Sequence, residues 1–436
     1  MNAPPIVDPL EALLGGKWLD PDDGTPLRVP IRAIAIERTL AHTEANRVAA
    51  LGLGRRLAVV SDRNTHAALA GRIERALAAC ATVKPVSFDA SPHADVATTE
   101  LLREVCRGVD ALVAVGSGTI NDLCKYAAAL DRKPYIVFAT APSMNGYTSA
   151  SAAITVDGHK QSLPAAAPRG VFIDLEVLAG APARMIRAGL GDSLCRSTAQ
   201  ADWLLSHRLL GTPYRSAPFA LLAADEAMLF DAPDALFGGN IEAMLALART
   251  LVLSGLGMTL AGGSYPASQG EHLISHYLDM FSPPERGVYL HGEQVGVATL
   301  TMARLQQAML GAAAPRLRPT SVDRQELVRR FGDEIGPSCW DAFIKKPVGA
   351  AAVAALDERV AASWDAIRSE LAAVTVPAAR IARVLERAGC PATPAAIGVT
   401  PEFYARAVRN ARFLRDRYTF LDLADDSGRL AALFQQ

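Results

Sequence analysis

Three of the eight histidines in this 436-residue chain, His272, His276 and His291, lie close together along it. In Glu271-His272-Leu-Ile-Ser-His276 the two imidazoles are four apart, on one face of a helix. A helix presents two nitrogens to a metal or a substrate in that way. His291 opens His-Gly-Glu-Gln-Val-Gly, and Asp192 in Gly189-Leu-Gly191-Asp192 is a candidate carboxylate. One Asp and two His would give a divalent cation three protein ligands and leave positions open, as catalytic sites require. The competing reading of HxxxH is a surface or capped histidine pair. The spacing is not HExxH, so a zincin protease is not indicated.

A second chemistry-bearing stretch is Val113-Ala-Val-Gly116-Ser117-Gly118-Thr119-Ile120-Asn121-Asp122-Leu-Cys-Lys125. An apolar strand ending in a glycine turn that opens a helix aims free backbone N–H groups and the positive helix end at a ligand, usually a phosphate. The stretch is neither GxGxxG nor a Walker A sequence, and an ordinary strand-to-helix turn is the alternative. Thr140-Ala141-Pro142-Ser143-Met144-Asn145-Gly146-Tyr147-Thr148-Ser149 is a second polar, glycine-bearing segment at a strand end. Two such loops form a crevice where open parallel sheets bind ligands. Asp62 in Val60-Ser-Asp62-Arg63-Asn-Thr65 suits a ribose hydroxyl, or equally a helix N-cap. Arg63 beside it leaves NAD against NADP open.

The elements that must position these residues follow from hydrophobic pattern. Short β-branched apolar runs at 57–60, 111–115, 135–138 and 171–173 alternate with helical spacing at 65–80 and 95–107. Such runs are strands buried on both faces, so the first half is an α/β domain with a parallel sheet. After Pro182 the sequence shows Ala/Leu-rich helical spacing at 219–230, 241–260, 293–309, 351–372 and 401–414. The punctuation at 178–184 predicts one boundary, with an α/β domain at 1–180 and an all-α domain at 181–436.

Lys plus Arg total 44 against 45 Asp plus Glu, with no like-charge block, so nothing favours nucleic acid as a partner. Six scattered cysteines without a CxxC pair suit a reducing compartment. The N-terminus carries Asp8 and Glu11 where a signal peptide needs an apolar stretch, which predicts a cytoplasmic protein. Residues 250–263 fall short of the ~20 needed to span a membrane and are expected to form a buried helix.

At GSGTINDLCKY, TAPSMNGYTSASAAITVDGHK, AGLGDSLCRSTAQADWLLSH, EHLISH, HGEQVG and RDRYTFLDLA the chain resembles the sn-glycerol-1-phosphate dehydrogenases of the dehydroquinate synthase and iron-containing alcohol dehydrogenase superfamily. The resemblance implies a Rossmann-like NAD(H)- or NADP(H)-binding domain, an all-α metal domain, a cleft site and a homodimer. It places the pyrophosphate on Gly116, Ser117, Gly118, Thr119 and Ile120. The rest of the cofactor falls to Thr140, Ala141, Pro142, Ser143 and Ser149, with Asp62 at the adenosine end. It assigns Asp192, His272 and His291 to one divalent ion (Zn, Fe, Ni or Mn), with His276 facing the substrate beside Asp192, Asp122 and Asn145. Two departures stand out: the family has Asp where this chain has Asn145, and Arg where it has Tyr265.

The expected activity is metal-assisted, NAD(P)-dependent interconversion of a small polyol phosphate and its ketone, with dihydroxyacetone phosphate and sn-glycerol 1-phosphate as the leading pair. His276 is the candidate for passing the proton, since an unperturbed imidazole titrates near ~6.5. Asn145 points to a related keto substrate with an extra acceptor group, unless its amide oxygen holds the same hydroxyl. A dehydroquinate synthase-like cyclase using NAD transiently is the alternative enzyme, and Tyr265 in place of Arg counts against it. A cofactor-binding protein without catalysis is the third class.

Overall fold

The computed structural model describes residues 8–433. The chain forms two compact units. The first runs to Ser193 and resumes at Arg215–Ser264; the second comprises Leu194–Tyr214 and the chain from Tyr265 on. A single cut at 180/181 therefore does not describe the division. Two helices from beyond residue 180 belong with the sheet unit, where their glycines pack against the 140–151 segment, as described below.

The first unit is built on a six-stranded, wholly parallel sheet. Its strands are β1 (Ala33–Glu37), β2 (Arg56–Asp62), β3 (Thr82–Phe88), β4 (Ala111–Gly116), β5 (Tyr135–Ala139) and β6 (Gly170–Asp174), in the spatial order β1-β6-β5-β4-β2-β3. The four inner strands coincide with the predicted apolar runs, and β4, β5 and β6 are buried at every residue. Phe138 and Phe172 stack at 4.9 Å between centroids on adjacent strands. The edge strands β1 and β3 are additional to the prediction. β3 reads Thr-Val-Lys-Pro-Val-Ser-Phe, and Pro85 lacks the N–H an inner strand must donate, so the pattern is that of an edge. A hairpin of Ser151–Val156 with His159–Pro164 also lies outside the predicted strands.

The helices used below are α1 (Gly118–Leu130), α2 (Ala183–Ser193), α3 (Arg196–Leu210), α4 (Ile241–Leu260), α5 (Gly270–Phe281), α6 (His291–Leu310) and α7 (Pro401–Ala411). Among the described residues α4 is the one helix long and apolar enough to cross a membrane, and 78% of that window is buried in the protein. It is a core helix of the first unit, as the buried-helix reading of 250–263 expected.

No described residue after β6 is in a strand, as predicted for the second half. The second unit packs α3, α5 and α6 in one apolar core with Trp364, Phe413 and Tyr418. A buried Arg412 ties down its C-terminal end, 3.1 Å from Asp422 and 2.6 Å from Asp426, with Asp425 as a third partner.

Candidate active site

In the first unit, three loops leave the carboxyl ends of neighbouring strands. Because β2, β4 and β5 are parallel and adjacent, Asp62, Gly116 and Thr140 open on the same edge of the sheet. The Thr140 N–H donates to the Gly116 carbonyl (3.1 Å) and joins two of these loops. Ser117 is the N-cap of α1, and Gly118, Thr119 and Ile120 form its first turn. Their N–H groups precede the intrahelical ladder and point to where an anion binds. Asp62 caps the next helix, accepting from the Thr65 N–H at 2.8 Å, so the N-cap reading is realised there.

Neither Gly116 nor Gly118 has a positive φ, so backbone freedom is not the reason for glycine at either. A Cβ at Gly116 would sit 2.6 Å from Ile120 Cβ; one at Gly118 would meet only the flexible Met144 side chain at 3.2 Å.

The segment 140–151 is held from three sides. On one, helix α2 lies so close that a Cβ at Gly189 would be 1.5 Å from the Pro142 carbonyl oxygen. One turn later the Asp192 carboxylate accepts from the Asn145 N–H (2.8 Å). On the second, a Cβ at Gly255 of α4 would be 2.2 Å from Thr148 Oγ1, and that hydroxyl donates to the Val252 carbonyl (2.7 Å). On the third, the wholly buried Lys125 of α1 donates to the Gly146 carbonyl (2.6 Å), Ser149 Oγ (3.0 Å) and the Ser151 carbonyl (3.0 Å).

Burial pulls the Lys125 ammonium down to about 8, with Asp122 at 3.7 Å acting in the opposite sense. Asp122 itself accepts from the Asn121 amide (3.0 Å) and the Ala153 N–H (3.1 Å), and burial pushes its carboxyl up. It thus ties α1 to the hairpin as well as lying in the first turns of that helix.

Lys125 is absent from the sequence-derived site. Lys125→Met keeps the volume and removes all three bonds, leaving two main-chain carbonyls without their charged donor. NADH affinity in a fluorescence titration should fall by about tenfold or more, while bound metal stays unchanged. Above pH 8 a neutral amine has two N–H groups for three acceptors, so wild-type affinity should weaken there too. An unaltered NADH Kd in the variant would show that the loop does not depend on the clamp.

In the second unit the three histidines meet. The His272 and His291 rings lie 5.0 Å apart by centroid, and His276 is 6.2 Å from the first and 5.9 Å from the second. His272 Nδ1 contacts the buried Glu271 carboxylate at 2.9 Å, the arrangement that fixes an imidazole's tautomer and turns Nε2 toward a metal. Ser275 Oγ stands 3.3 Å from His291 Nδ1 and does the same for the second ring. Glu293 accepts from the Leu290 N–H (2.8 Å), closing the N-terminus of α6 and fixing where His291 begins it.

The ligand atoms of Cys195, Glu271 and His272 also lie within 4.8 Å of one another. Glu271, however, already accepts from the Gln269 N–H (2.7 Å) and Thr198 Oγ1 (3.1 Å), so it acts as the support of His272. Asp202, whose carboxyl burial and Glu271 push up to about 8, accepts from the Gly270 N–H (3.0 Å) and anchors the start of α5. Donor chemistry and ring geometry in this unit fit a divalent ion. The signal for Glu271 was its adjacency to His272; Ser275 and Asp202 carried none.

Tyr265, where the family has Arg, is stacked on Trp203 (5.9 Å, 19°), and the Arg417 guanidinium stands 4.6 Å from its ring centroid. A guanidinium from another part of the chain thus lies against this ring.

Residues 36–182 match the family model for iron-containing alcohol dehydrogenases. Among solved structures, a probable glycerol dehydrogenase from Sinorhizobium meliloti aligns at TM-score 0.61 and 20% identity, covering 93% of this chain and 98% of that one. The NADH-dependent butanol dehydrogenase A of Thermotoga maritima gives 0.60 at 15% identity over 93% and 97%. These share the fold. The glycerol-1-phosphate dehydrogenase [NAD(P)+] of Bacillus licheniformis is 30% identical over 385 residues, 87% of this chain and 85% of its own length. That of Geobacillus stearothermophilus is 31% identical over 84% and 85%. With relatives of that similarity along most of its length, the chain belongs to the glycerol-1-phosphate dehydrogenase family of iron-containing alcohol dehydrogenases.

Proposed function

We propose that this protein reduces dihydroxyacetone phosphate to sn-glycerol 1-phosphate, and catalyses the reverse, using NAD(H) or NADP(H) and one divalent ion held by Asp192, His272 and His291. The observation that carries the reading is the trio of imidazoles with His272 oriented by a buried glutamate, in a chain of this family. The ion, when bound, supplies Lewis acidity toward the substrate's carbonyl oxygen, and the nicotinamide supplies the hydride.

The chain's own residues do the rest. The loops after β2, β4 and β5 bind the dinucleotide, with the first turn of α1 against its pyrophosphate. Lys125 and Asp192 hold 140–151 in place around the cofactor. His276, one turn beyond His272, passes the proton. Arg417 beside Tyr265 supplies positive charge for a phosphorylated substrate, which favours the polyol phosphate over the free polyol. The reading also takes the protein to be cytoplasmic and homodimeric.

Incubation with NADH or NADPH and a panel of keto-phosphates tests it. Net cofactor oxidation with dihydroxyacetone phosphate is expected; product without net oxidation would indicate the cyclase, and neither outcome a binding protein. Asn145 sharpens the same test. Its N–H bonds Asp192, so Asn145→Asp sets a second carboxylate close to the first. Like-charge repulsion of ~1–2 kcal/mol should lower kcat/KM for a keto-phosphate carrying an additional acceptor group about tenfold relative to dihydroxyacetone phosphate. An unchanged ratio would show that position 145 does not sense that group.

A further inference from the structure

Away from the histidines, the second unit has a cavity of about 540 Å³ lined by Arg318, Arg330, Arg406 and Arg409, with Asp425 and Asp426 at its wall. The guanidinium groups come from three segments: the strap after α6, the helix Arg324–Phe343, and α7, on which Arg406 and Arg409 are one turn apart. The buried Arg412 engages both aspartates and also Asp422, which Lys346 pairs with as well, so two cations meet three carboxylates and one negative charge is left at the wall. Arg330 is paired with Glu326 at 2.7 Å. Among the described residues, Arg318, Arg406 and Arg409 have no carboxylate partner; Arg406 only lies over the Phe403 ring, at 4.8 Å. Three arginines without a carboxylate partner thus line one cavity, an excess of about two positive charges once the leftover carboxylate is counted, in a chain whose formal net charge is -1.

We propose that this cavity is a binding site for a small molecule bearing a diphosphate group, separate from the dinucleotide-binding loops of the first unit. Two linked phosphoryl groups carry roughly two to three negative charges near neutrality, opposite in sign and similar in size to the cavity's positive excess. Planar guanidinium forks bind phosphoryl oxygens in pairs, which lysines at the same places would not do. The volume suits a diphosphate alone or one attached to a nucleoside. A long polyanion is not favoured, since no basic stripe continues from the cavity along the sequence.

The test is calorimetric titration of the full-length protein with inorganic pyrophosphate and with ADP, at 150 mM NaCl and without NADH, whose own nucleoside-linked diphosphate would compete at the cavity; the difference between wild type and the double variant below reports the site. Saturable binding of at least one probe is expected, weakened about tenfold or more in the double variant Arg406→Ala/Arg409→Ala. Tighter binding of ADP identifies a nucleoside-linked ligand, and equal binding the diphosphate itself; both support the site. Arg329→Ala, which removes an exposed arginine paired with Glu326 and outside the cavity, should bind like wild type. No saturable binding at this salt overturns the proposal. So does binding that the double variant leaves intact, which would place the probe elsewhere. These outcomes do not depend on turnover, so a failure here is distinguishable from a failure of the dehydrogenase reading.

Discussion

His272→Ala should lose its bound metal and at least about a thousandfold in kcat, while circular dichroism and the first unit's NADH affinity stay close to wild type. A thousandfold is ~4 kcal/mol of barrier, the size expected when Lewis acidity is withdrawn from a carbonyl. The fold should survive because the sheet's core is made of Val59, Val113, Val115, Ile136, Phe138 and Phe172, none of which depends on a metal. Chelation of the wild type should reproduce the loss, and added Zn, Fe or Ni should restore wild-type activity but not that of the variant.

Glu271→Gln provides a graded control. The Glu271 carboxylate sits 2.9 Å from His272 Nδ1, so weakening it should reduce metal affinity roughly ten- to a hundredfold without abolishing it. His276→Ala should instead keep the metal and lose rate. Elemental analysis beside turnover decides each case: full occupancy and normal turnover in His272→Ala would remove His272 from the ligand set, and metal loss in His276→Ala would add His276 to it.

The residues that sequence alone singles out are those whose side chains are proposed to do the chemistry. Histidine is scarce here, and its clustering at 272, 276 and 291 stands out against the rest of the chain. Likewise the inner strands announce themselves, because burial on both faces demands unbroken apolar runs such as Ala111–Gly116. Edge strands escape the same reading: Thr82–Phe88 is buried on neither face throughout, so its polar residues and Pro85 conceal it.

The supporting contacts were invisible for a different reason. Lys125 reaches the carbonyls of Gly146 and Ser151, and Asp192 takes the N–H of Asn145. Main-chain groups are the same at every residue, so no residue type signals that a distant side chain will be needed there. The boundary misplaced at 180/181 has the same origin. What binds α2 and α4 to the sheet unit is the absence of side chains at Gly189 and Gly255, and an absence leaves no hydrophobic period to read.

Gly189→Ala should be the most damaging single methyl in the first unit. The added Cβ would fall 1.5 Å from the Pro142 carbonyl oxygen, a backbone atom that no rotamer change can move aside. Either α2 must back away or the 140–151 segment must shift, at a cost of about 3 kcal/mol or more. In a unit of this size that lowers Tm by on the order of 10 °C. Gly180→Ala, whose Cβ would meet carbonyl oxygens only at 3.4 and 3.6 Å, should melt within a degree or two of wild type and serves as the control.

The functional consequence follows from position. Asp192 lies one helical turn beyond Gly189, and its carboxylate holds the Asn145 N–H at 2.8 Å. A shift of α2 therefore moves a proposed metal ligand and releases the cofactor loop together. Metal content and NADH affinity should fall in parallel in Gly189→Ala, whereas His272→Ala loses only the first. If Gly189→Ala melts like Gly180→Ala and binds NADH with the wild-type Kd, the contact between α2 and Pro142 is not what sets the position of either.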